Sequence, residues 1–146
     1  MNVGIHQPDY IPWLGLFYKM YLSDVFVHLD DALPIYIAGK FGIKPKFVRS
    51  SEFHFETKRE EKVIDLCVAV GGTRYISGNG ARVYQAPEHF AKRGVELTYL
   101  EYKPIEYPQL WKEFLPCMSA LDYIFNCGYD WDYVVKKVEG LNERDR

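Results

Sequence analysis

Nothing in this sequence reads as a covalent or metal staple. The three cysteines, Cys67, Cys117 and Cys127, are an odd set without C-x-x-C spacing. Such a set fits reduced core thiols in a reducing compartment better than a disulfide framework. His6, His28, His54 and His89 are scattered, none at i, i+4 from another ligand type, so neither a metal site nor another cofactor is expected. Charge of one sign is also missing. Eighteen basic residues face 20 acidic ones for a net charge of −2, and no basic stripe or aromatic-basic platform stands out, which sets nucleic acid aside as a partner. The basic stretch 58–62 is interleaved with Glu60 and Glu61 and reads as a solvated helix face. The longest apolar run, residues 13–22, is too short to span a bilayer and is interrupted by Lys19, so no transmembrane segment is expected. The chain opens on strand-like residues rather than a basic leader with a cleavage site, which points to the cytoplasm. The Walker pattern, G-x-G-x-x-G, the nucleophile elbow, internal repeats and low-complexity linkers are absent too.

What is present is apolar and aromatic. The 146 residues are 48% hydrophobic and 16% aromatic, with 12 tyrosines. A chain of this size suits one domain and buries about two-thirds of its unfolded surface. Tyrosine pairs a large apolar face with a hydroxyl that needs a partner, so this composition fits a core bordered by a polar pocket as well as an ordinary aromatic core.

The pattern along the chain predicts a three-layer α/β fold, a mainly parallel, Rossmann-like sheet with flanking helices. Residues 2–6 are a strand, followed by the turn Q-P-D-Y-I-P, in which Pro8 and Pro12 disfavour helix before them. Residues 13–23 form a helix apolar on more than one face, and V-F-V-H-L is a second strand closing on Asp30 and Asp31. Strand, loop, helix and strand in this span make a right-handed parallel βαβ unit. Residues 33–47, with two prolines and two glycines, read as loop holding at most a short strand. Thr57 to Glu60 has the form of a capping box, ahead of an apolar stripe of Val63, Leu66, Cys67 and Val70 and a stop at Gly71-Gly72. Residues 73–77 are a strand, S-G-N-G-A-R-V-Y a Gly-rich turn, 87–93 a short helix and 95–102 an alternating strand. The remainder reads as helical, broken at Pro108 and Pro116, with a capping-box-like start at Ser119 to Asp122, a stop at Gly128 and a last helix over 130–141.

In open parallel sheets, ligands sit beyond the carboxyl ends of the strands. Three predicted strand ends deliver polar residues there: His6-Gln7, Asp30-Asp31 and Ser77-Gly78-Asn79-Gly80. His6, with an ordinary pKa near 6.5, suits acid/base work or a phosphate contact, and equally a ring packed under the turn. Gln7 offers an amide to a ligand or pins the loop; Tyr10 and Trp13 suit stacking on a sugar or base, or core packing. Gly78 and Gly80 suit an anion-binding nest, with Arg82 and Arg74 as neighbouring positive charge. Arg49-Ser50-Ser51-Glu52 is a further polar cluster.

Taken together, G-I-H-Q-P-D-Y-I-P-W-L-G-L-F-Y-K (4–19), S-D-V-F-V-H-L-D-D (23–31), F-V-R-S-S-E-F (47–53), Y-I-S-G-N-G-A-R-V-Y (75–84) and S-A-L-D-Y-I-F-N-C-G (119–128) resemble the WbqC-like protein family. The resemblance implies a role in surface polysaccharide (O-antigen, lipopolysaccharide) synthesis: a transferase acting on a nucleotide- or lipid-linked sugar, moving an acyl or aminoacyl group. On that reading His6 and Asp30 are catalytic, and Gln7, Tyr10, Trp13, Lys19, Asp31, Ser50 and Ser51 contact substrate. Ser77, Gly78, Asn79, Gly80 and Arg82 hold phosphate. Family members carry more sequence between L-D-D and R-S-S-E, where this chain has only residues 32–48, so it resembles a shortened member. A binding or assembly module with an incomplete active site is the alternative, and a homodimer built on the aromatic surface is a third arrangement.

Overall fold

The computed structural model describes residues 1–7, 12–28, 33–110 and 113–143. The predicted βαβ unit opens the chain: strand β1 (Asn2–His6), helix α1 (Leu14–Tyr21) and strand β2 (Val25–His28). The two strands are parallel, with Val3 opposite Val25 and His6 opposite His28. Then follow α2 (Leu33–Lys40), β3 (Lys46–Arg49), α3 (Arg59–Ala69), β4 (Arg74–Ser77), α4 (Pro87–Ala91) and β5 (Glu96–Tyr99). Two helices close the fold, α5 (Ala120–Cys127) and α6 (Trp131–Glu143). All five strands are parallel, in the order β3-β2-β1-β4-β5.

Strand side chains alternate between faces, and so do the two cores. Val3, Ile5, Val25, Val27 and Tyr75 pack with Leu66 and Cys67 of α3 and Phe90 of α4. Phe26 and Ile76 point the other way, into a core with Phe17 and Met20 of α1, Ile37 of α2, Tyr123 of α5 and Val134 of α6. Helices therefore cover both faces, giving the three-layer α/β arrangement. A sheet buried on both sides explains why β2 reads as an unbroken apolar run. Residues 14–20 of α1 are all buried, Lys19 included, which matches the helix with more than one apolar face. Gly4 is where the turn after α1 presses closest: a Cβ there would meet Ser23 Oγ at 2.6 Å and the Phe26 ring at 2.7 Å. No described helix is long and apolar enough to cross a membrane.

The structure departs from the sequence pattern in four places. Residues 33–47 are not mainly loop: α2 and the start of β3 occupy them. Pro34 lies in the first turn of α2, where its missing N–H costs no helical bond, and Gly42, at φ 76, turns the chain after the helix ends. The capping box at Thr57 does not form. Lys58 is the N-cap, the Thr57 hydroxyl donates to Asp65 at 2.7 Å, and Glu60 instead accepts from Ala86 N–H at 2.8 Å. Those tertiary partners outcompete the local ones. The stretch before Ser119 contains no helix among its described residues: β5 ends at Tyr99, and 100–110 run irregularly while Leu100, Ile105 and Tyr107 enter the core. Cys117 is exposed, so of the three thiols only Cys67 is a buried core residue.

Candidate functional site at the carboxyl edge

The connections from β1 to β2 to β3 run one way, and the crossover from β3 returns the chain to the far side of β1. Winding direction thus reverses between β1 and β4, the switch point at which open α/β sheets take ligands. The ladder between those two strands is the shortest of the sheet. Pairing of β1 with β2 extends to His6 and His28, and of β4 with β5 to Ser77 and Tyr99, whereas β1 and β4 pair only from Asn2–Arg74 to Gly4–Ile76. Beyond Gly4 the sheet splits.

Lys19 sits at that split. It is 3% exposed, and its Nζ donates to the carbonyl of Ile5, the first β1 residue past the last β1–β4 pair, at 2.7 Å. The same Nζ lies 5.5 Å from the centre of the Tyr75 ring on β4. Burial disfavours the charged ammonium and lowers its pKa to about 7. Tyr75 lies beneath, stacked on Phe90 at 5.6 Å, its hydroxyl pushed up to about 12 chiefly by burial and in contact with Ser77 and Gln85. Ser77, 1% exposed, donates to Gln85 Oε1 at 2.7 Å.

His6 closes β1, half-buried, beside buried His28 on the same sheet face. Its Nδ1 lies 2.8 Å from the Gln7 carbonyl. A carbonyl only accepts, so Nδ1 carries the proton of that bond, and in the neutral ring Nε2 is the basic nitrogen. Gln7 is exposed.

The other expected residues divide. Tyr10, Asp30 and Asp31 lie outside the described residues. Ser50 is buried and Ser51 exposed in the 3₁₀ turn (Ser50–Glu52) that follows β3, on the same carboxyl edge. In the turn after β4, Asn79 Nδ2 donates to the Leu100 carbonyl at 2.9 Å, and Arg82 Nε donates to Asn79 Oδ1 at 3.3 Å. The Arg82 guanidinium stacks 4.1 Å from the centre of the Tyr99 ring. Asn79 and Arg82 thus brace the Gly78-Gly80 turn as well as flanking it. Trp13 packs edge-on to Tyr102 at 4.9 Å, bridges Ser119 and lays its ring over Gly15. Arg74, at the amino end of β4, is engaged with Glu96 at 2.8 Å and does not reach the carboxyl edge. No group of three or more potential metal ligands occurs among the described residues. A groove of about 380 Å³ beside Tyr21, Asp24 and Lys44 lies at the opposite, amino edge.

Sequence reasoning missed His28, Tyr75 and Gln85 as neighbours of this site. His28 had a signal: a polar residue ending an apolar strand at the same relative place as His6. Tyr75 and Gln85 had none, because only packing places them beside Ser77.

These features define a class: an open, doubly wound α/β protein whose strands β1 and β4, between which the winding reverses, end in polar residues. Within that class, residues 7–33 and 32–132 match the WbqC-like protein family, and the chain belongs to it. It is also 28% identical over 128 residues to the uncharacterized protein Rv1507c of Mycobacterium tuberculosis (strain ATCC 25618 / H37Rv), covering 87% of this chain and 55% of that protein. The chain therefore spans about half the length of that relative. No solved structure matches.

Proposed function

We propose that this protein is a transferase that works on a nucleotide- or lipid-linked sugar for a surface polysaccharide of the O-antigen type, moving an acyl or aminoacyl group at the split between β1 and β4. The observation that supports the reading is that the winding of the parallel sheet reverses between β1 and β4, strands that end in His6 and in buried Ser77, with buried Lys19 bonded to the Ile5 carbonyl of β1. His6 Nε2 takes the proton from the attacking sugar amine or hydroxyl as its bond to the acyl carbon forms. The acyl donor's leaving group then receives that proton as its bond to the acyl carbon breaks, while the sugar stays on its nucleotide or lipid carrier. Gln7 orients the sugar, and the Gly78-Gly80 turn with Arg82 faces the carrier's phosphates.

The length of the relative favours a second reading. Only 55% of Rv1507c is aligned, so the chain also fits a binding module whose catalytic complement lies in sequence it does not share. A thermal-shift screen of nucleotide-sugars and aminoacyl donors on wild type and His6→Ala decides. A ligand in hundredfold excess over its Kd stabilises by about 2.7 kcal/mol, a readily seen shift. Stabilisation by a nucleotide-sugar, with transfer of label from donor to sugar that His6→Ala abolishes, supports the transferase. Binding without turnover, indifferent to His6→Ala, supports the module. No shift with any ligand on a folded protein refutes both.

A further inference from the structure

We infer that the Lys19 ammonium is the counter-charge for an oxyanion of the ligand, seated where β1 and β4 part. The inference rests on the placement of the ligand site at that split. Three observations carry it. The amine is 3% exposed, so water does not solvate its charge. Its one acceptor among the described residues is the Ile5 carbonyl at 2.7 Å, which occupies one of three N–H donors. None of the ion pairs among the described residues gives it a carboxylate.

A buried ammonium without a counter-charge is costly, and buried charges are ordinarily paired. Tying α1 to the Ile5 carbonyl does not require one, since a neutral amide on the same helix would donate as well. A ligand anion entering the split supplies the counter-charge that the described residues do not. The groups facing Nζ do not compete for that role. Cys67 on α3 has its thiol pushed up to about 12 by burial. Tyr75 on β4 is likewise held up to about 12 by burial. Both are therefore neutral around pH 7, and the Tyr75 ring offers a further favourable contact to the cation. His6, one residue beyond Ile5, is the remaining titratable neighbour on β1. Burial lowers the pKa of the amine to about 7, so at pH 8 the bound anion is expected to draw a proton onto it.

The anion can be a phosphoryl oxygen of the sugar's carrier or a carboxylate of the transferred group, and two probes, both fully ionised at pH 8, distinguish them: symmetrical dimethyl pyrophosphate and malonate. Isothermal titration at pH 8 in buffers of different ionisation enthalpy reads protons taken up. Wild type should take up protons with the probe that binds. Lys19→Gln, which keeps a donor for the Ile5 carbonyl, and Lys19→Met should lose that uptake and bind at least ~10-fold more weakly, the scale expected when a buried charge-assisted bond is removed. The wild-type proton count stands even if either variant fails to fold. Binding without proton uptake, or with unchanged affinity in a folded Lys19→Gln protein, overturns the inference. So does a nucleotide-sugar that stabilises wild type and Lys19→Gln equally, which leaves the transferase reading in place. Dimethyl pyrophosphate binding that depends on Lys19 while no sugar donor is turned over supports the inference and refutes that reading.

Discussion

Lys19 shows how much of a residue's character comes from the fold. In the sequence it interrupts the apolar run of α1 and, by family resemblance, is expected to contact substrate; lysine is almost never fully buried. Here its neighbours on every side are buried, and the charge goes in with them. The consequence for stability has a definite sign. The folded pKa is lowered to about 7 from an ordinary value of 10.5, so between those values the unfolded chain binds more protons than the folded one. Stability is therefore lowest below pH 7 and rises as pH climbs through the window, by at most about 1.4 kcal/mol per pH unit from this group. Urea midpoints of wild type and Lys19→Met between pH 7 and 8, below the range where unfolded Cys67 and tyrosines ionise, should show that slope in wild type and not in the variant. Equal slopes would mean that the amine keeps its proton in the folded state. His6 was legible because it ends a strand before a Pro-rich turn; its partner His28 needed the register that sets the two side by side.

At the scale of elements, legibility followed how far each signal was local. The first βαβ unit was plain because apolar strands and punctuating prolines lie within one short stretch. Helix α2 was obscured by Pro34 and Gly39, residues that usually break helices but here stand in its first and last turns. The segment between β5 and α5 is expected from the sequence to be helical with breaks at Pro108 and Pro116. In the structure Ile105 and Tyr107 anchor an irregular run while Leu110 and Leu115 stay exposed, and the run is tied to α5 by a polar clamp: Tyr107 Oη donates to Asp122 Oδ2 at 2.7 Å, and Gln109 Nε2 donates to the same oxygen at 2.8 Å. Asp122→Ala strips the acceptor from both and should cost about 1–3 kcal/mol in denaturant titrations, the penalty for leaving partly buried donors unpaired. A loss below half a kcal/mol would show the clamp to be ornamental. Gly15 makes a separate point about α1. A Cβ there would fall 2.1 Å from the Trp13 ring, so Gly15→Ala should push the indole off Tyr102, costing about 1–3 kcal/mol and shifting tryptophan fluorescence. Trp13 thus fastens α1 to the segment ahead of α5, whether or not it also touches a sugar.

The whole molecule raises the question of whether a chain matching about half of its relative's length folds as one unit. The β1–β4 seam is the natural place to doubt it, being the shorter ladder and the point where the winding reverses. Both cores, however, cross that seam. On one face Val25 and Val27 of β2 share a cluster with Tyr75 of β4 and Phe90 of α4; on the other, Phe26 of β2 shares one with Ile76 of β4 and Tyr123 of α5. Pulling the halves apart would expose large apolar surface on both faces at once, at roughly 25 cal/mol per Å². The expected outcome is a single cooperative transition, with the same midpoint by far-ultraviolet circular dichroism and by tryptophan fluorescence, and a calorimetric enthalpy equal to the van't Hoff value. Two transitions, with the fluorescence of Trp13 and Trp131 lost before the sheet signal, would instead mean that α1, α5 and α6 detach as a layer. That result would also weaken the functional reading, since Lys19 reaches the split only while α1 is docked on β1.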